Sequence, residues 1–318
     1  MTKSIGFYPG CSLEGSSHEY NESVTALAAL FDIELRQVPD WNCCGASAAH
    51  NLNRDLALAL PARILALAAA AGGGSGDAEA GAGGGSAAGM ERILVPCAAC
   101  YNRLAVTAHE LSGDSALRAR IEEVIGMPMG NIPRIMNVIE FIEEFIVPEL
   151  PSKMVKEFPG PVACYYGCLL VRPHEILKFD RLEDPQSMDS IMTSLGAQCI
   201  EWPMKTECCG AALSVMRTPL AARLSGRIVG DAVERGAKAI IVACPMCHSN
   251  LDLRRGAINK ALATGTAAGA KTDIPVLYIT QAIGVACGLD DRQTGTRRHM
   301  VRVDWKRLAQ MKQTNEEG

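Results

Sequence analysis

The sequence predicts an α/β protein made of two pseudo-symmetric repeats, each a small, mostly parallel sheet flanked by helices. Short apolar runs alternate with longer alanine- and leucine-rich periodic segments along the chain. This alternation is typical of parallel strands joined by crossover helices. Cysteines follow the predicted strands in the same order in both halves. With 318 residues, of which 48% are hydrophobic, the chain can form a sizeable core.

The periodicity places the elements as follows. The predicted strands are 4–8, 34–38 and 92–95 in the first half, and 162–166, 198–201, 239–243 and 276–279 in the second. The predicted helices are 19–31, 46–70, 101–125, 211–235 and 245–262. We predict a first domain over 1–130, a connecting segment over 131–150 with a helix at 134–147, a second domain over 151–290 and a polar, peripheral tail over 291–318. Residues 72–89, GGGSGDAEAGAGGGSAAG, have almost no apolar side chains to bury and are predicted to be a disordered surface insert.

Composition excludes several classes of function. The chain has 31 basic and 35 acidic residues, for a net charge of −4, so no basic excess points to nucleic acid. No apolar stretch reaches the roughly 18 residues that a membrane span needs, and the N-terminus lacks the features of a signal peptide. We therefore expect a cytoplasmic protein. Thirteen cysteines in a reducing compartment indicate metal ligation or redox chemistry rather than structural disulfides.

Ten of these cysteines form two similar series. The first set is Cys11, Cys43, Cys44, Cys97 and Cys100, and the second set is Cys168, Cys208, Cys209, Cys244 and Cys247. In each series a single cysteine is followed by a Cys-Cys-Gly motif and then by a Cys-x-x-Cys motif. From Cys44 to Cys97 there are 52 intervening residues, and from Cys209 to Cys244 there are 34. Removing the 18 residues of the insert brings 52 down to 34, which supports a duplication.

The placement of these cysteines predicts two iron–sulfur sites. Each Cys-Cys-Gly and each Cys-x-x-Cys follows a predicted strand and opens a predicted helix. Thiols at the carboxyl ends of parallel strands converge on one sheet edge, where helix N-termini stabilise thiolates. Five thiolates from three strand ends suit an iron–sulfur cluster, so the fold should carry cluster ligands at its strand ends. Four alternatives remain open: zinc in both halves, a cluster in one half and zinc or a degenerate site in the other, a catalytic dithiol, and cysteines that merely fill the core.

The stretches YPGCSLEGSSHEY, YGCLLVRP and CPMCHSNLD resemble the B subunit of heterodisulfide reductase, in the cysteine-rich Cys-Cys-Gly domain family. The resemblance covers Phe7 to about Leu289. It implies two non-cubane [4Fe-4S] clusters, each held by the five cysteines of one set. It further implies that a disulfide, such as that of coenzyme M and coenzyme B, is split between the clusters into two thiols, one electron coming from each cluster. The partners implied are the ferredoxin-like C subunit and the flavin-containing A subunit of the complex.

Two functions follow from this reasoning. The first is an oxidoreductase acting on a sulfur group, as the catalytic subunit of a heterodisulfide-reductase-like complex. The alternative is a non-catalytic electron-transfer subunit of a Cys-Cys-Gly family dehydrogenase complex. His248, next to Cys247, is a candidate proton relay, with a structural hydrogen-bonding role as the alternative. Cys199 and Cys287 are expected to be core thiols, and so is Cys164, although it could also lie near the second set.

Overall fold

The computed structural model describes residues 3–71, 89–263 and 272–313. The predicted insert at 72–89 lies outside the described residues except for Gly89. In the described part of the chain, eight strands form two parallel sheets of four strands, which confirms the predicted α/β fold with two repeats.

The two sheets share one topology. Sheet A has the order β2-β1-β3-β4, and sheet B has the order β6-β5-β7-β8. The strands of sheet A are β1 (Lys3–Phe7), β2 (Ile33–Gln37), β3 (Arg92–Leu94) and β4 (Arg134–Met136). The strands of sheet B are β5 (Pro161–Tyr165), β6 (Gln198–Cys199), β7 (Ala239–Val242) and β8 (Val276–Tyr278). All seven strands predicted from the sequence are present.

Helices connect and cover the strands. In the first half they are α1 (Gly10–Glu14), α2 (His18–Leu30), α3 (Ala49–Leu52), α4 (Arg54–Ala70), α5 (Ala98–Gly113), α6 (Ser115–Ile125) and α7 (Val138–Phe141). In the second half they are α8 (Leu150–Lys153), α9 (His174–Leu177), α10 (Ser187–Ser194), α11 (Thr218–Glu234), α12 (Pro245–Leu251), α13 (Arg255–Ala263), α14 (Ile279–Ala286) and α15 (Trp305–Gln313). Short 3₁₀ turns lie at Ala211–Leu213 and Thr296–Arg298, and a π-helical turn lies at Ile142–Ile146.

Capping residues divide two of the predicted helices. The Asn53 side chain accepts hydrogen bonds from the backbone N–H groups of Asp55 and Leu56, so α4 begins there and the predicted helix 46–70 is split. Asp114 caps α6 in the same way and divides the predicted helix 101–125. Asn and Asp favour this position because their side chains satisfy the free N–H groups of the first helical turn.

The prediction of a helix over 134–147 was wrong at its start. Arg134–Met136 is the fourth strand of sheet A, with Arg92 opposite Arg134 and Leu94 opposite Met136. The helix begins only at Val138, after Asn137, which forms a capping box with Glu140. A strand of three residues at a sheet edge is too short for a period-2 signal, and pairing with β3 decides its conformation.

The halves share one hydrophobic core, and α2 of the first half packs against α14 of the second. The predicted peripheral tail contributes to this contact, because Thr296 and His299 are buried. Arg298 forms a salt bridge with Glu22 of α2. The expectation that the whole tail is peripheral was therefore wrong for these residues, and polar composition concealed their burial.

Candidate metal centres

The structure brings the members of the first set together beyond the carboxyl ends of β1, β2 and β3. Cys11 lies in α1, the Cys43–Cys44 pair lies in the loop after β2, and Cys97 is the residue that precedes the first turn of α5. The sulfurs of Cys11 and Cys43 are 3.8 Å apart. Those of Cys44 and Cys100 are 3.2 Å apart. The Cys97 thiol lies beside that of Cys100.

The second set has the same arrangement beyond β5, β6 and β7. The sulfurs of Cys209 and Cys247, the counterparts of Cys44 and Cys100, are 3.6 Å apart. The thiol of Cys168 contacts that of Cys208, and this contact lowers the pKa of Cys208 to about 6.

Cys244 of the second set lies at the start of α12, in the residue before its first turn. Its contact with Cys247, followed by its contact with Cys97, lowers its pKa well below the ordinary cysteine value. The Cys-x-x-Cys motif of the second half therefore reaches a sulfur of the first set.

Each set has an outer pair and an inner trio. The outer pairs, Cys11 with Cys43 and Cys168 with Cys208, are exposed except for Cys168, which is half-buried. The inner trios are buried and consist of Cys44, Cys97 and Cys100 in the first half and Cys209, Cys244 and Cys247 in the second. Both sites are therefore anchored in the core and open to solvent on one side.

Two glycines leave room beside the inner sulfurs. Gly10 has φ +66° and Gly167 has φ +73°, a region of backbone conformation that L side chains rarely adopt. A Cβ at Gly10 would lie 3.2 Å from the Cys100 sulfur, and one at Gly167 would lie 3.1 Å from the Cys247 sulfur. Backbone conformation and close approach both require glycine at this point of each repeat.

The prediction that each Cys-Cys-Gly motif opens a helix holds only as a 3₁₀ turn in the second half, where Gly210 precedes Ala211–Leu213, and no α-helix begins at either motif. In each motif the glycine N–H points at the first cysteine sulfur, at 3.5 Å from Gly45 to Cys43 and at 3.3 Å from Gly210 to Cys208. Gly45 and Gly210 also have positive φ, +73° and +78°. This left-handed turn keeps a helix from starting directly at the cysteines. The prediction that each Cys-x-x-Cys opens a helix was correct.

Sequence reasoning missed two tyrosines that support the sites. The Tyr8 hydroxyl donates to the carbonyl oxygen of Asn42 at 2.9 Å, and the Tyr165 hydroxyl donates to that of Glu207 at 2.6 Å. Each acceptor is the residue before a Cys-Cys pair. Burial, followed by the charges of the neighbouring cysteines, raises the pKa of Tyr8 and that of Tyr165. The signal in the sequence was a tyrosine three residues before the first cysteine of both series.

A further tyrosine links the two halves where the sets meet. The Tyr20 hydroxyl lies 3.3 Å from the carbonyl oxygen of Pro96 and 3.1 Å from that of Ala243. These are the residues immediately before Cys97 and Cys244. The thiols of Cys97 and Cys244 contact each other across this junction. The inner trios of the two sets therefore form one continuous group of thiols.

His248 lies behind this junction in a buried position. Its Nε2 is 3.1 Å from the carbonyl oxygen of Val276, and its ring stacks on Tyr278 with centroids 4.3 Å apart. Nδ1 faces Glu19 at 3.9 Å. Burial lowers the pKa of His248 to about 3, so the imidazole is neutral at physiological pH. Its role as a proton relay stays a prediction, and the backbone hydrogen bond favours a structural role.

The large surface cleft of the second half lies away from the cysteine sets. It has a volume of about 800 Å³ and is lined by Lys238 and Pro275, which precede β7 and β8. It therefore lies at the amino-terminal edge of sheet B, whereas the second set lies at the carboxyl-terminal edge. A smaller groove of about 410 Å³ runs along Val38, Pro39 and Trp41, next to the outer pair of the first set.

The donor sets fit iron–sulfur clusters. Each offers five thiols, and soft thiolates are the ligands that such clusters require. The space kept by Gly10 and Gly167 adjoins the sulfurs that a cluster would bond. A tetrahedral zinc site would use only four of the five. The arrangement can hold two redox centres in contact, each with one exposed side.

Comparisons with known proteins agree with this geometry. The cysteine-rich domain family (CCG) matches residues 5–105 and 162–252, which together exceed half of the chain and contain all ten cysteines of the two sets. The two matched segments correspond to the two repeats, and each contains one cysteine set and the three strands that lead to it.

Similar proteins are subunits of larger reductases. The membrane anchor subunit of 8-methylmenaquinol:fumarate reductase from Wolinella succinogenes is 27% identical over 305 residues, covering 95% of this chain and 98% of that protein. The B subunit of ferredoxin:CoB-CoM heterodisulfide reductase from Methanosarcina mazei is 29% identical, covering 67% of this chain and 71% of its own. The B subunit of the ferredoxin/F420H2-dependent CoB-CoM heterodisulfide reductase from Methanosarcina acetivorans is also 29% identical, with coverages of 66% and 70%.

A solved structure shares the fold. A hypothetical protein from Helicobacter pylori superposes with a TM-score of 0.68 at 12% identity, covering 96% of this chain. This chain spans 53% of the length of that one, and at this identity the likeness concerns the fold alone. Among the described residues, no helix combines the length and apolar character needed to cross a bilayer.

Proposed function

Because the chain belongs to the cysteine-rich domain (CCG) family, we propose that it is the catalytic iron–sulfur subunit of a heterodisulfide-reductase-like complex. In this proposal it reduces a disulfide, either the CoB-CoM heterodisulfide or a related compound, to two thiols. The relatives that support it are two B subunits of CoB-CoM heterodisulfide reductases. The three relatives named above support the coarser statement that the chain is a redox subunit of a multisubunit complex.

Each cysteine set would hold one cluster, of the non-cubane [4Fe-4S] type that the family resemblance implies. When bound, a cluster of this kind supplies electrons singly. The protein's own groups prepare the sites. Tyr8 and Tyr165 fix the loops that carry the Cys-Cys pairs, and Gly10 and Gly167 keep the neighbouring space free. The inner trios anchor each site in the core, and the outer pairs leave one side accessible.

One observation carries the proposal: the two sets meet at Cys97 and Cys244, where the Tyr20 hydroxyl reaches the carbonyl groups of both preceding residues. Splitting a disulfide takes two electrons and leaves two thiolates that bind protons. Two adjacent sites that each supply one electron match the two electrons that disulfide cleavage requires. A subunit that only passes electrons along a chain of centres does not need two equivalent sites side by side. His248 remains our candidate for delivering a proton, because its Nδ1 faces Glu19 and burial raises the pKa of that carboxyl group.

Partners are part of the proposal. The described residues contain no second type of cysteine cluster motif that could receive electrons from a distant donor. We expect a ferredoxin-like partner, the C subunit of such a complex, to deliver them, and a flavin-containing A subunit to lie beyond it. A cytoplasmic location is also proposed, because thirteen unpaired cysteines suit a reducing compartment.

A second candidate function has its own support. The fumarate reductase subunit of Wolinella succinogenes aligns over 95% of this chain, whereas the heterodisulfide reductase subunits align over about two thirds of it. In this alternative the chain is a non-catalytic electron-transfer subunit that links a quinol to a partner dehydrogenase or reductase. The two sites would then relay electrons without a disulfide substrate.

The test purifies the native complex without oxygen and compares the electron acceptors that oxidise it. The proposal predicts about eight irons and as many inorganic sulfides per chain. It also predicts that CoB-CoM heterodisulfide or another disulfide oxidises the pre-reduced complex, with two free thiols formed per disulfide. Oxidation by a menaquinone analogue, with none by disulfides, would favour the second candidate. Absence of inorganic sulfide would contradict both.

A further inference from the structure

A third group of thiols lies on sheet B, away from both cysteine sets. Val162 of β5 is opposite Cys199 of β6, so the side chains of this pair share a face of the sheet. Cys164 is two residues after Val162 and returns to that face because strand side chains alternate with period 2. The helix α10 packs on β6 and supplies Asp189. The second set, in contrast, surrounds Tyr165, whose side chain points to the opposite face.

These three side chains converge. Three ligand atoms lie within 4.8 Å of one another: the Sγ of Cys164, the Sγ of Cys199 and one carboxylate oxygen of Asp189. Cys164 and Asp189 are buried, and Cys199 is half-buried, which leaves an approach from solvent. Contact with the Cys164 thiol lowers the pKa of Cys199, whereas burial raises that of Cys164. Two thiols and one carboxylate are a donor set that binds divalent zinc-class ions.

The carboxylate is oriented as metal-binding carboxylates usually are. Lys205 Nζ lies 3.3 Å from one oxygen of Asp189, and the Tyr166 hydroxyl donates to the other at 2.8 Å. Hydrogen bonds of this kind fix the direction of ligating groups and are a regular part of metal sites.

The charge of the region favours a cation. Lys205 forms ion pairs with both Asp184 and Asp189, so these three side chains sum to one negative charge. Two buried thiolates would add two more, which a buried site cannot hold without compensation. One divalent ion compensates the two thiolates. Its binding releases the two thiol protons to water, and no electron transfer is involved.

The first half shows what these positions hold when no ligand is needed. The duplicated motifs align Tyr8 with Tyr165, so Cys164 corresponds to Phe7, and Cys199 corresponds to Leu35 through the strand register. Phe7 is buried and Leu35 packs against the core. Hydrocarbon therefore satisfies the packing at these places. In the second half the Cys199 thiol instead donates to the backbone carbonyl of Asp189 at 3.4 Å and lies beside its carboxylate.

We propose that Cys164, Cys199 and Asp189 bind one divalent zinc-class ion, distinct from the iron–sulfur sites. The fourth coordination position belongs to water or a small anion that enters beside Cys199. Since Cys164 lies four residues before Cys168, the ion braces the strand that leads into the second set.

The experiment measures zinc and iron together in the full chain purified without oxygen, after dialysis against zinc(II) and a weak chelator. We expect about one zinc per chain in addition to the iron. Cys199→Ala should abolish zinc binding while iron stays unchanged, and Asp189→Asn should weaken it at least tenfold. Cys287→Ala, which removes a buried thiol outside every group, is the matched control and should retain the zinc. Cobalt(II) should give a thiolate charge-transfer band in the parent chain and none in Cys199→Ala.

Three results would overturn the proposal. Zinc that persists in Cys199→Ala would show that the ion is adventitious. Absence of zinc from the parent chain would show that the site binds none. A Cys164–Cys199 disulfide, detected by mass spectrometry after anaerobic alkylation, would identify a dithiol instead. If Cys199→Ala is not stably folded, Cys199→Leu carries the test, because leucine occupies the equivalent position of the first half. Iron content is independent of these outcomes, so failure here leaves the proposed function intact.

Discussion

The two halves hold the same cysteine geometry on different supports. Both have a four-stranded parallel sheet of one topology, a tyrosine that fixes the Cys-Cys loop and a glycine beside an inner sulfur. The face of the sheet below these sites differs, however, because sheet A has Phe7 and Leu35 there. Sheet B has Cys164 and Cys199 there, beside a buried ion pair.

This difference teaches that the cysteine sites depend on strand ends and turns rather than on the packing below them. The loops keep their left-handed glycines and their hydrogen bonds although the packing of the strands behind them has changed from hydrocarbon to polar. Polar support should make the second half more sensitive to single substitutions. Paired variants of the two halves test that asymmetry, and the largest effect is expected at the cluster ligands.

Cys209→Ser and Cys44→Ser remove the equivalent inner ligand from the second and first sets. Each should lower the iron content by about half, because one set loses its cluster and the other keeps it. Both should abolish disulfide reduction, since each site provides only one of the two electrons. Iron analysis and thiol release from the complex measure these effects. Reduction that survives in either variant would contradict equivalent roles for the sets, and Cys287→Ser should change neither quantity.

Lys205→Met should destabilise the second half by about 2–3 kcal/mol, because it leaves the carboxylate of Asp189 buried without its cation. This figure includes little from the second ion pair of Lys205, because Asp184 is largely exposed and solvent screens its charge. Chemical denaturation of the iron-free chain is the measurement. A matched change of an exposed pair in the first half, Arg120→Met, should cost less than about 1 kcal/mol. Equal losses in the two variants would refute the asymmetry.

The same lysine gives a pH dependence. Burial lowers its pKa, but the hydrogen bond to Asp184 and the charge of Asp189 outweigh burial, so the pKa of Lys205 in the folded chain is raised. Its contribution is therefore complete below the ordinary lysine pKa and is lost as pH rises through the raised folded value. Denaturation midpoints of the parent chain and Lys205→Met should converge at strongly alkaline pH. Curves that stay parallel there would exclude this linkage.

Gly167→Ala and Gly10→Ala test the space beside the inner sulfurs. Each forces alanine into a left-handed conformation and places its Cβ 3.1 or 3.2 Å from a sulfur, so we expect a loss of about 1–2 kcal/mol. Iron in the altered half should fall as well. Gly113→Ala, at a position where a Cβ meets no atom within 4 Å, is the control. Normal iron content in both test variants would show that these glycines serve the turn alone.

Tyr20→Phe should have the smallest effect, a loss of about 1 kcal/mol, because it removes one hydroxyl that bridges Pro96 and Ala243. The ring and its stacking on Tyr278 remain. Thermal unfolding should shift by a few degrees, and the coupling between the two sites, measured as the separation of their reduction potentials, should change. A changed melting temperature with unchanged reduction potentials would show that Tyr20 stabilises the fold and does not couple the two sites.

Much of the site could be predicted from the sequence because its signals are local. The duplicated cysteine order and the strand before each motif predicted two parallel sheets with thiols at their carboxyl ends, and Cys97 and Cys244 do begin helices. The strand Arg134–Met136 could not be predicted in this way, because three residues at a sheet edge take their conformation from pairing with β3.

The sequence by itself determined the repeat, the ten candidate ligands and the fold class, since motif spacing and hydrophobic period are written along the chain. Only the tertiary structure decided which groups from different halves meet. The contact of Cys97 with Cys244 and the bridge from Tyr20 both join residues far apart in the chain. The convergence of Asp189 on Cys164 and Cys199 likewise depends on how α10 packs against sheet B, because no short-range pattern encodes the packing of a helix on a sheet.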